Sequence, residues 1–411
     1  MITVLLTSWP LLLGVMLLMV GNGMQGSLLG IRGALEGFST FELSVVMSAY
    51  FLGFLGGSRI APEMIRRVGH VRVFAALGSL ISAGLVIYPV LPHWIAWSLL
   101  RICIGFCFAG VYVTAESWLN NQAKNDTRGQ TLSLYMIVQM SGIIASQALL
   151  NVADPSDFTL FVIPSVMVSL AFIPILLTAS TAPTFETTKS MRFKDLLSAS
   201  PLGCTGMLLT GGIFSALFGM TAVWGSNAGL SVRDITLFIA SIYVGGLLMQ
   251  YPIGRASDNM DRRVLIAGIS LFGFFIAFSV FVVDFSFIGL LFVGFMLGGI
   301  ANPLYSLLIA HTNDFLEVDS MASASSGLIF INGTGAIFGP VFTGWLIAVF
   351  GPNGFFAFIG ILMGVLAAYA LWRMTRRAAP IDTGVFTTFA PNATALAVGA
   401  VVDQVQDLPL D

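Results

Sequence analysis

The sequence has 411 residues, 57% of them apolar and 9% charged, with a formal net charge of −2. Soluble domains carry about 25% charged residues, so 18 basic and 20 acidic side chains cannot coat a soluble surface of this size. The charge balance also excludes a nucleic-acid partner, which needs a basic face, and a mean hydropathy of +0.92 requires lipid as the solvent for most of the chain.

Runs of about 20 mostly apolar residues mark the spans. Six come first, at Val4–Gly30, Glu42–Ile60, Val73–Leu91, Trp94–Leu119, Thr131–Val152 and Phe158–Ala179. The first has no basic leader and is too long for a signal peptide, so it is read as a retained helix. A polar stretch from Ser180 to Ser198 follows. Six more spans come after it, at Leu202–Leu230, Thr236–Tyr251, Val264–Val283, Phe285–Ala310, Ala322–Phe350 and Gly354–Met374. The tail after Met374 is polar, contains Pro391 and Pro409, and reads as loosely ordered. This predicts an all-α membrane protein of twelve transmembrane helices. Its units are 1–179, a first six-helix bundle, 180–200, a linker, 201–374, a second bundle, and 375–411, a tail.

With the amino terminus inside, fifteen basic residues, among them Arg66, Arg67, Lys124, Lys189, Arg262 and Arg263, fall on the cytoplasmic side. Only Arg32 and Arg233 fall outside, and Arg101 lies within a span. This asymmetry predicts cytoplasmic termini on both ends.

The stretch Pro62–Arg72 after the second span and Gly254–Arg263 after the eighth read as similar short, basic loops. They predict two six-helix halves in the same orientation, a parallel repeat. On these residues, with Ala115-Glu116-Ser117-Trp118-Leu119, Ala310-His311-Thr312-Asn313-Asp314 and Gly335-Ala336-Ile337-Phe338-Gly339-Pro340, the chain resembles major facilitator superfamily (MFS) transporters of the bacterial YcaD-like group. The resemblance spans roughly residues 1–375. It implies the MFS fold, a bacterial inner-membrane location and a loop that locks the outward-facing state, matched by Gly254, Asp258, Arg262 and Arg263 in the second half. In the first half Arg67 and Gly69 match, whereas Arg66 stands in place of the aspartate. Glu63 or Glu116 is then the expected substitute carboxylate for this gate, with the alternative that Arg66 only serves the positive-inside bias.

Charges inside a bilayer call for a function. Arg101 is such a charge and matches the family's fourth-span arginine. It reads as a cavity cation for an anionic group or as a structural pin on nearby carbonyls. Asn22, Gln25, Gln139, Trp224, Asn302, Tyr305 and Asn332 are the neutral polar and aromatic candidates for the cavity, with interhelical hydrogen bonding as the alternative for each. The resemblance places the first, fourth, seventh and tenth spans around the cavity, which favours Gln25, Arg101, Trp224 and Asn302. Glu42, near Arg32 and Glu36, reads as part of a solvated outer loop cluster.

No hydrolase, nucleotide-binding or metal motif is present in context, and Cys103, Cys107 and Cys204 form no CxxC pair. The expectation is a non-enzyme without cofactor or metal. It is a monomeric secondary transporter of a small molecule, coupled to protons through Glu116. An uncoupled facilitator or a non-transporting receptor or assembly factor of the same fold remain the alternatives.

Overall fold

The computed structural model describes residues 2–122, 128–176 and 191–376. Lys124, Lys189, most of the expected linker and the tail from 377 lie outside the described residues. The elements are α1 (Ile2–Leu35), α2 (Thr40–Val68), α3 (His70–Ile87), α4 (Trp94–Gln122), α5 (Arg128–Leu149), α6 (Thr159–Leu176) and a short α7 (Phe193–Ala199). They continue with α8 (Pro201–Ser215), α9 (Thr221–Asn227), α10 (Val232–Asn259), α11 (Arg262–Ser279), α12 (Phe287–Asn313), α13 (Val318–Phe350) and α14 (Gly354–Met374). Eleven stretches are long and apolar enough to cross a membrane, α8 and α9 acting as one, and α6 is a shorter apolar helix. Among the described residues these make the twelve spans expected. The side on which α1 starts and α14 ends is called the terminal side below, and the opposite one the far side.

The starts of α2 and α10 are built alike. Gly37 and Gly229 take φ values of 80° and 72°, where any side chain would be strained. Two residues on, Ser39 Oγ accepts from the Glu42 N–H at 3.3 Å and Ser231 Oγ from the Asp234 N–H at 3.1 Å. Glu42 returns a bond, accepting from the Ser39 N–H at 2.8 Å, which closes a capping box. The outer cluster expected around Glu42 therefore divides: Glu42 caps α2, while Arg32 pairs with Glu36 at 2.6 Å and donates to the Pro155 carbonyl at 3.0 Å.

The likeness runs through the packing. A Cβ on Gly53 of α2 would stand 2.0 Å from the Ile102 carbonyl oxygen of α4, and one on Gly245 of α10 would stand 1.9 Å from that of Phe295 on α12. Gly105 and Gly298 are held just as closely, against the carbonyls of Tyr50 and Ile242. On α5 and α13, Gly142 and Gly335 face the Met16 and Leu208 carbonyls of α1 and α8. Each element of α8 and α10 lies 192 positions after its counterpart (208 against 16, 245 against 53), and each of α12 and α13 lies 193 after (298 against 105, 335 against 142). In lipid, association rests on such close backbone approach, because no water is released to drive it. Replacing Gly53 by Ala is expected to lower the melting temperature, since overpacking costs about 1–3 kcal/mol. Gly56→Ala, on the same helix with nothing within 4 Å of the added carbon, is the control, and equal melting of the two variants would refute the packing argument.

The two basic stretches expected as loops are mostly helix. α2 runs through Pro62 to Val68, and the single residue Gly69, at φ 86°, turns the chain into α3. α10 continues to Asn259, and only Met260 and Asp261 precede α11. Arg66 and Arg67 pair with Glu63 along the helix and Arg262 with Asp314 on another, which lets charged residues sit where the helices extend past the apolar segment. The seventh span is also not one regular helix, because a π-helical turn at Ala216–Met220 joins α8 to α9.

Candidate functional site

A cavity lies between the first six spans and the last six, with walls from α1, α2, α4 and α5 on one side and α8, α10, α12 and α13 on the other. Its free volume is about 180 Å³, the room of roughly a dozen waters at ~15 Å³ each, or of a small organic molecule. Of the cavity residues expected from sequence, Asn22, Arg101, Gln139, Tyr305 and Asn332 line it. Two pairs of the lining sit at equivalent positions of the repeat: Tyr112 with Tyr305, and Gln139 with Asn332, each 193 apart (305 against 112, 332 against 139). They form a polar belt with two-fold character. Asn22 donates to the Tyr112 hydroxyl at 2.9 Å, and Asn332 donates to the Met207 carbonyl at 3.0 Å.

Aromatic rings fill the walls between these groups. On the first half, Tyr50 stands 6.1 Å from Phe54, which stands 5.9 Å from Tyr112. On the second, Tyr243, Phe218, Phe214 and Tyr305 follow one another with centroids 4.7, 5.6 and 5.7 Å apart. Arg101 closes the first wall: its guanidinium carbon lies 4.6 Å from the Tyr50 ring centroid, and Nη2 donates to Met47 Sδ at 3.6 Å. Gly219, inside the π-helical turn, also lines the cavity, in keeping with the frequent use of such turns at functional sites.

On the far side the halves meet. Asn151 at the end of α5 donates to Thr236 Oγ1 of α10 at 3.0 Å, and Thr40 donates to Asn227 of α9 at 3.2 Å. Ser48 donates to the Ile337 carbonyl, and Gly344 of α13 packs against Ser44 and the Thr40 carbonyl of α2. Ile31 of α1 is buried with Ala222, Ile235 and Ile239. Nearer the terminal side, α2 and α13 keep contact through Arg59, whose guanidinium lies 4.0 Å from the Phe330 ring centroid.

Three expected cavity residues are absent from its wall. Trp224 packs in a ring cluster, 4.7 Å from Phe238, 5.4 Å from Phe355 and 5.2 Å from Phe356, where its ring finds the stacked and edge-on partners that aromatic pairs favour. Asn302 is fully buried, its side-chain amide set against Gly246 of α10. Gln25 turns back along α1, its Nε2 donating to Asn22 Oδ1 at 3.3 Å. Only one face of a helix meets the cavity, and membership of a lining helix does not say which face.

The gate residues separate in the same way. Glu63 accepts from both Arg66 and Arg67, at 2.8 and 2.6 Å, in a partly exposed local pair on α2. Glu116 is buried on α4, with the Tyr135 hydroxyl donating to it at 3.3 Å. Asp258 is exposed in the last turn of α10. Arg263 pairs with Asp261 at 2.7 Å, and that contact holds the Asp261 carboxyl below its ordinary range. Arg262 is different: buried to 2% exposure, it forms an ion pair with Asp314 at the end of α12, an equally buried carboxylate. At the equivalent place of the first half, His70 meets Ser117 Oγ at 2.9 Å (262 against 70).

Sequence reasoning missed Tyr50, Tyr112 and Tyr243 in the cavity, and Asp314 as the partner of Arg262. Aligning the halves on their Gly-x-Ser starts, 192 apart, brings Tyr112 within one position of Tyr305, and the one-residue step between α10 and α12 completes the pair. Asp314 stands in the sequence only as the last residue of Ala310–Asp314, with nothing to tie it to Arg262, 52 residues away.

Residues 11–242 and 202–396 match the family model of the Major Facilitator Superfamily. The MFS-type transporter YcaD of Salmonella arizonae is 26% identical over 355 residues, covering 85% of this chain and 91% of the relative. That of Escherichia coli K12 is 26% identical over 359 residues with the same coverage. Among solved structures, a variant of the nucleoside transporter NupG aligns with a TM-score of 0.76 at 13% identity, covering 89% of this chain and 99% of that one. A bacterial homologue of the human lysosomal transporter Spinster, inward-facing and occupied, aligns at 0.68 and 14% identity, over 89% and 96%. These two likenesses concern the fold.

Proposed function

Because the chain belongs to the Major Facilitator Superfamily and is a multi-pass membrane transporter of that family, we propose that it is a proton-coupled secondary transporter that moves a small molecule by alternating access. One observation carries this reading: a cavity walled by both halves and shut on the far side by contacts between them. Such an arrangement exposes a bound solute to one side at a time when the halves tilt. The units that tilt are residues 1–179 and 201–374, and one chain completes the cavity, so the monomer is the working unit. The excess of basic residues places the terminal side in the cytoplasm of the bacterial inner membrane, and the state described then opens inward.

Glu116 is the proposed proton carrier. It is fully buried and bonded to Tyr135, whereas the equivalent positions in the second half hold Ile309 and Leu328 (309 against 116, 328 against 135). A fold that stands with two aliphatic residues at this place does not need the polar pair for packing. The test uses proteoliposomes loaded with a pH-sensitive dye and a library of metabolite-sized solutes. Solute-driven proton movement in the wild type, lost in Glu116→Gln while solute exchange persists, is the expected result. Among the described residues no carboxylate lines the cavity, which favours a facilitator as the second reading. Equal solute flux with and without a pH gradient would establish the facilitator, and binding without any flux would establish a receptor.

A further inference from the structure

Arg101 is 4% exposed in the membrane-spanning part of α4, and among the described residues no carboxylate pairs with it. Its contacts are the Tyr50 ring and the Met47 sulfur, and Nε has no partner. A charge held in this way inside a bilayer is costly and needs a compensating role. Packing does not supply one: the equivalent position of the second half is Gly294 (294 against 101), and α12 meets α10 there without a cation. Eleven residues along α4, about 16 Å at 1.5 Å per residue, lies Tyr112 in the polar belt. Across the cavity the hydroxyl of its counterpart Tyr305 is buried and unpartnered. Aromatic walls connect the two ends.

Resting on the cavity as the substrate site, we infer that it takes an elongated amphipathic organic monoanion, an aryl carboxylate or its like. The anionic head sits on Arg101, the flat apolar body between the aromatic walls, and a hydrogen-bonding acceptor reaches Tyr305. One unpaired cation sets one negative charge, because a second would face no counter-charge in an otherwise neutral wall. A guanidinium offers a carboxylate two parallel N–H donors, a geometry that a lysine lacks. The ring faces exclude hydrated, body-less anions, since they offer no hydrogen bonds to replace lost water.

The experiment measures melting temperature and affinity of the purified protein with aryl monocarboxylates of graded linker length, each matched by its carboxamide and its amine, and with acetate. Carboxylates are expected to stabilise the wild type in proportion to RT ln(1 + [L]/Kd), and amides, amines and acetate are not. Arg101→Gln is expected to fold and to bind the carboxylates at least about tenfold more weakly. Arg101→Lys is expected to retain part of the affinity. Equal stabilisation by amides or amines, undiminished carboxylate binding in Arg101→Gln, or no stabilisation by any aryl carboxylate would each overturn the assignment. Binding is read without flux, so a carboxylate that binds through Arg101 but is not moved leaves this assignment standing while the transport reading falls.

Discussion

Replacing Asp314 by Asn is expected to destabilise the second half by about 3–5 kcal/mol, the loss typical when one partner of a buried ion pair is removed and the other charge stays behind. Arg262 and Asp314 are each 2% exposed. The guanidinium also donates to Ser257 Oγ at 3.0 Å and to the Ala310 carbonyl at 3.3 Å, both neutral acceptors. Asn keeps the shape of the side chain, so the effect isolates the charge. The pair joins the start of α11 to the end of α12, and its loss should loosen the terminal side of that half first. Thermal melting of the purified protein reads the size, and hydrogen exchange reads the place. A double variant, Arg262→Met with Asp314→Leu, is expected to lie nearer the wild type than either single change, because an apolar pair of similar volume replaces an ion pair at little cost. His70→Ala in the first half should cost less, about 1–3 kcal/mol, since it removes the hydrogen bond to buried Ser117 and the ring packing against Trp118. If Asp314→Asn melts like the wild type, the ion pair carries no weight in this half.

Gly344→Leu is expected to hold the far side open and to stop transport with the fold intact. A Cβ at Gly344 would already stand 2.6 Å from Ser44 Cβ and 3.3 Å from the Thr40 carbonyl oxygen. A leucine has no room unless the far ends of α2 and α13 separate, and the Ser48 bond to Ile337 lies on the same seam. Overpacking of about 1–3 kcal/mol acts only on the closed state, so it shifts the population toward the far-open state by roughly fivefold to 150-fold. The check is labelling from the far side of a cysteine placed at Tyr50, in a background where Cys103, Cys107 and Cys204 are serine. Labelling is expected to be fast in Gly344→Leu and slow in the parent, with transport reduced in step. Unchanged labelling would mean that this seam does not close the cavity.

Much of the architecture was legible before any coordinates. A transmembrane helix must bury its backbone groups internally whatever its neighbours are, so length and hydropathy alone gave the number of spans, and the spacing of Pro62 and Gly254 hinted at the repeat. Arg101 was legible for the same reason: an ionised side chain in an apolar run contradicts its surroundings. The polar belt was half legible, with Tyr305, Gln139 and Asn332 named but Tyr112 passed over as one aromatic among many.

Which face a residue presents is a different kind of property. Trp224, Asn302 and Gln25 stand on cavity-lining helices yet turn into helix–helix contacts, and Glu63 spends its charge on its own neighbours. Rotation of each helix is set by where glycines let backbones approach, as at Gly53 with Ile102 and Gly245 with Phe295, and those contacts lie tens of residues apart in the chain. Hydrophobicity in a bilayer fixes what crosses, because lipid offers the same solvent to every apolar residue. It cannot fix which side turns inward, because lipid-facing and partner-facing surfaces are equally apolar. That choice, the pairing of Arg262 with Asp314 and the placing of a lone arginine against two aromatic walls belong to the packed structure alone.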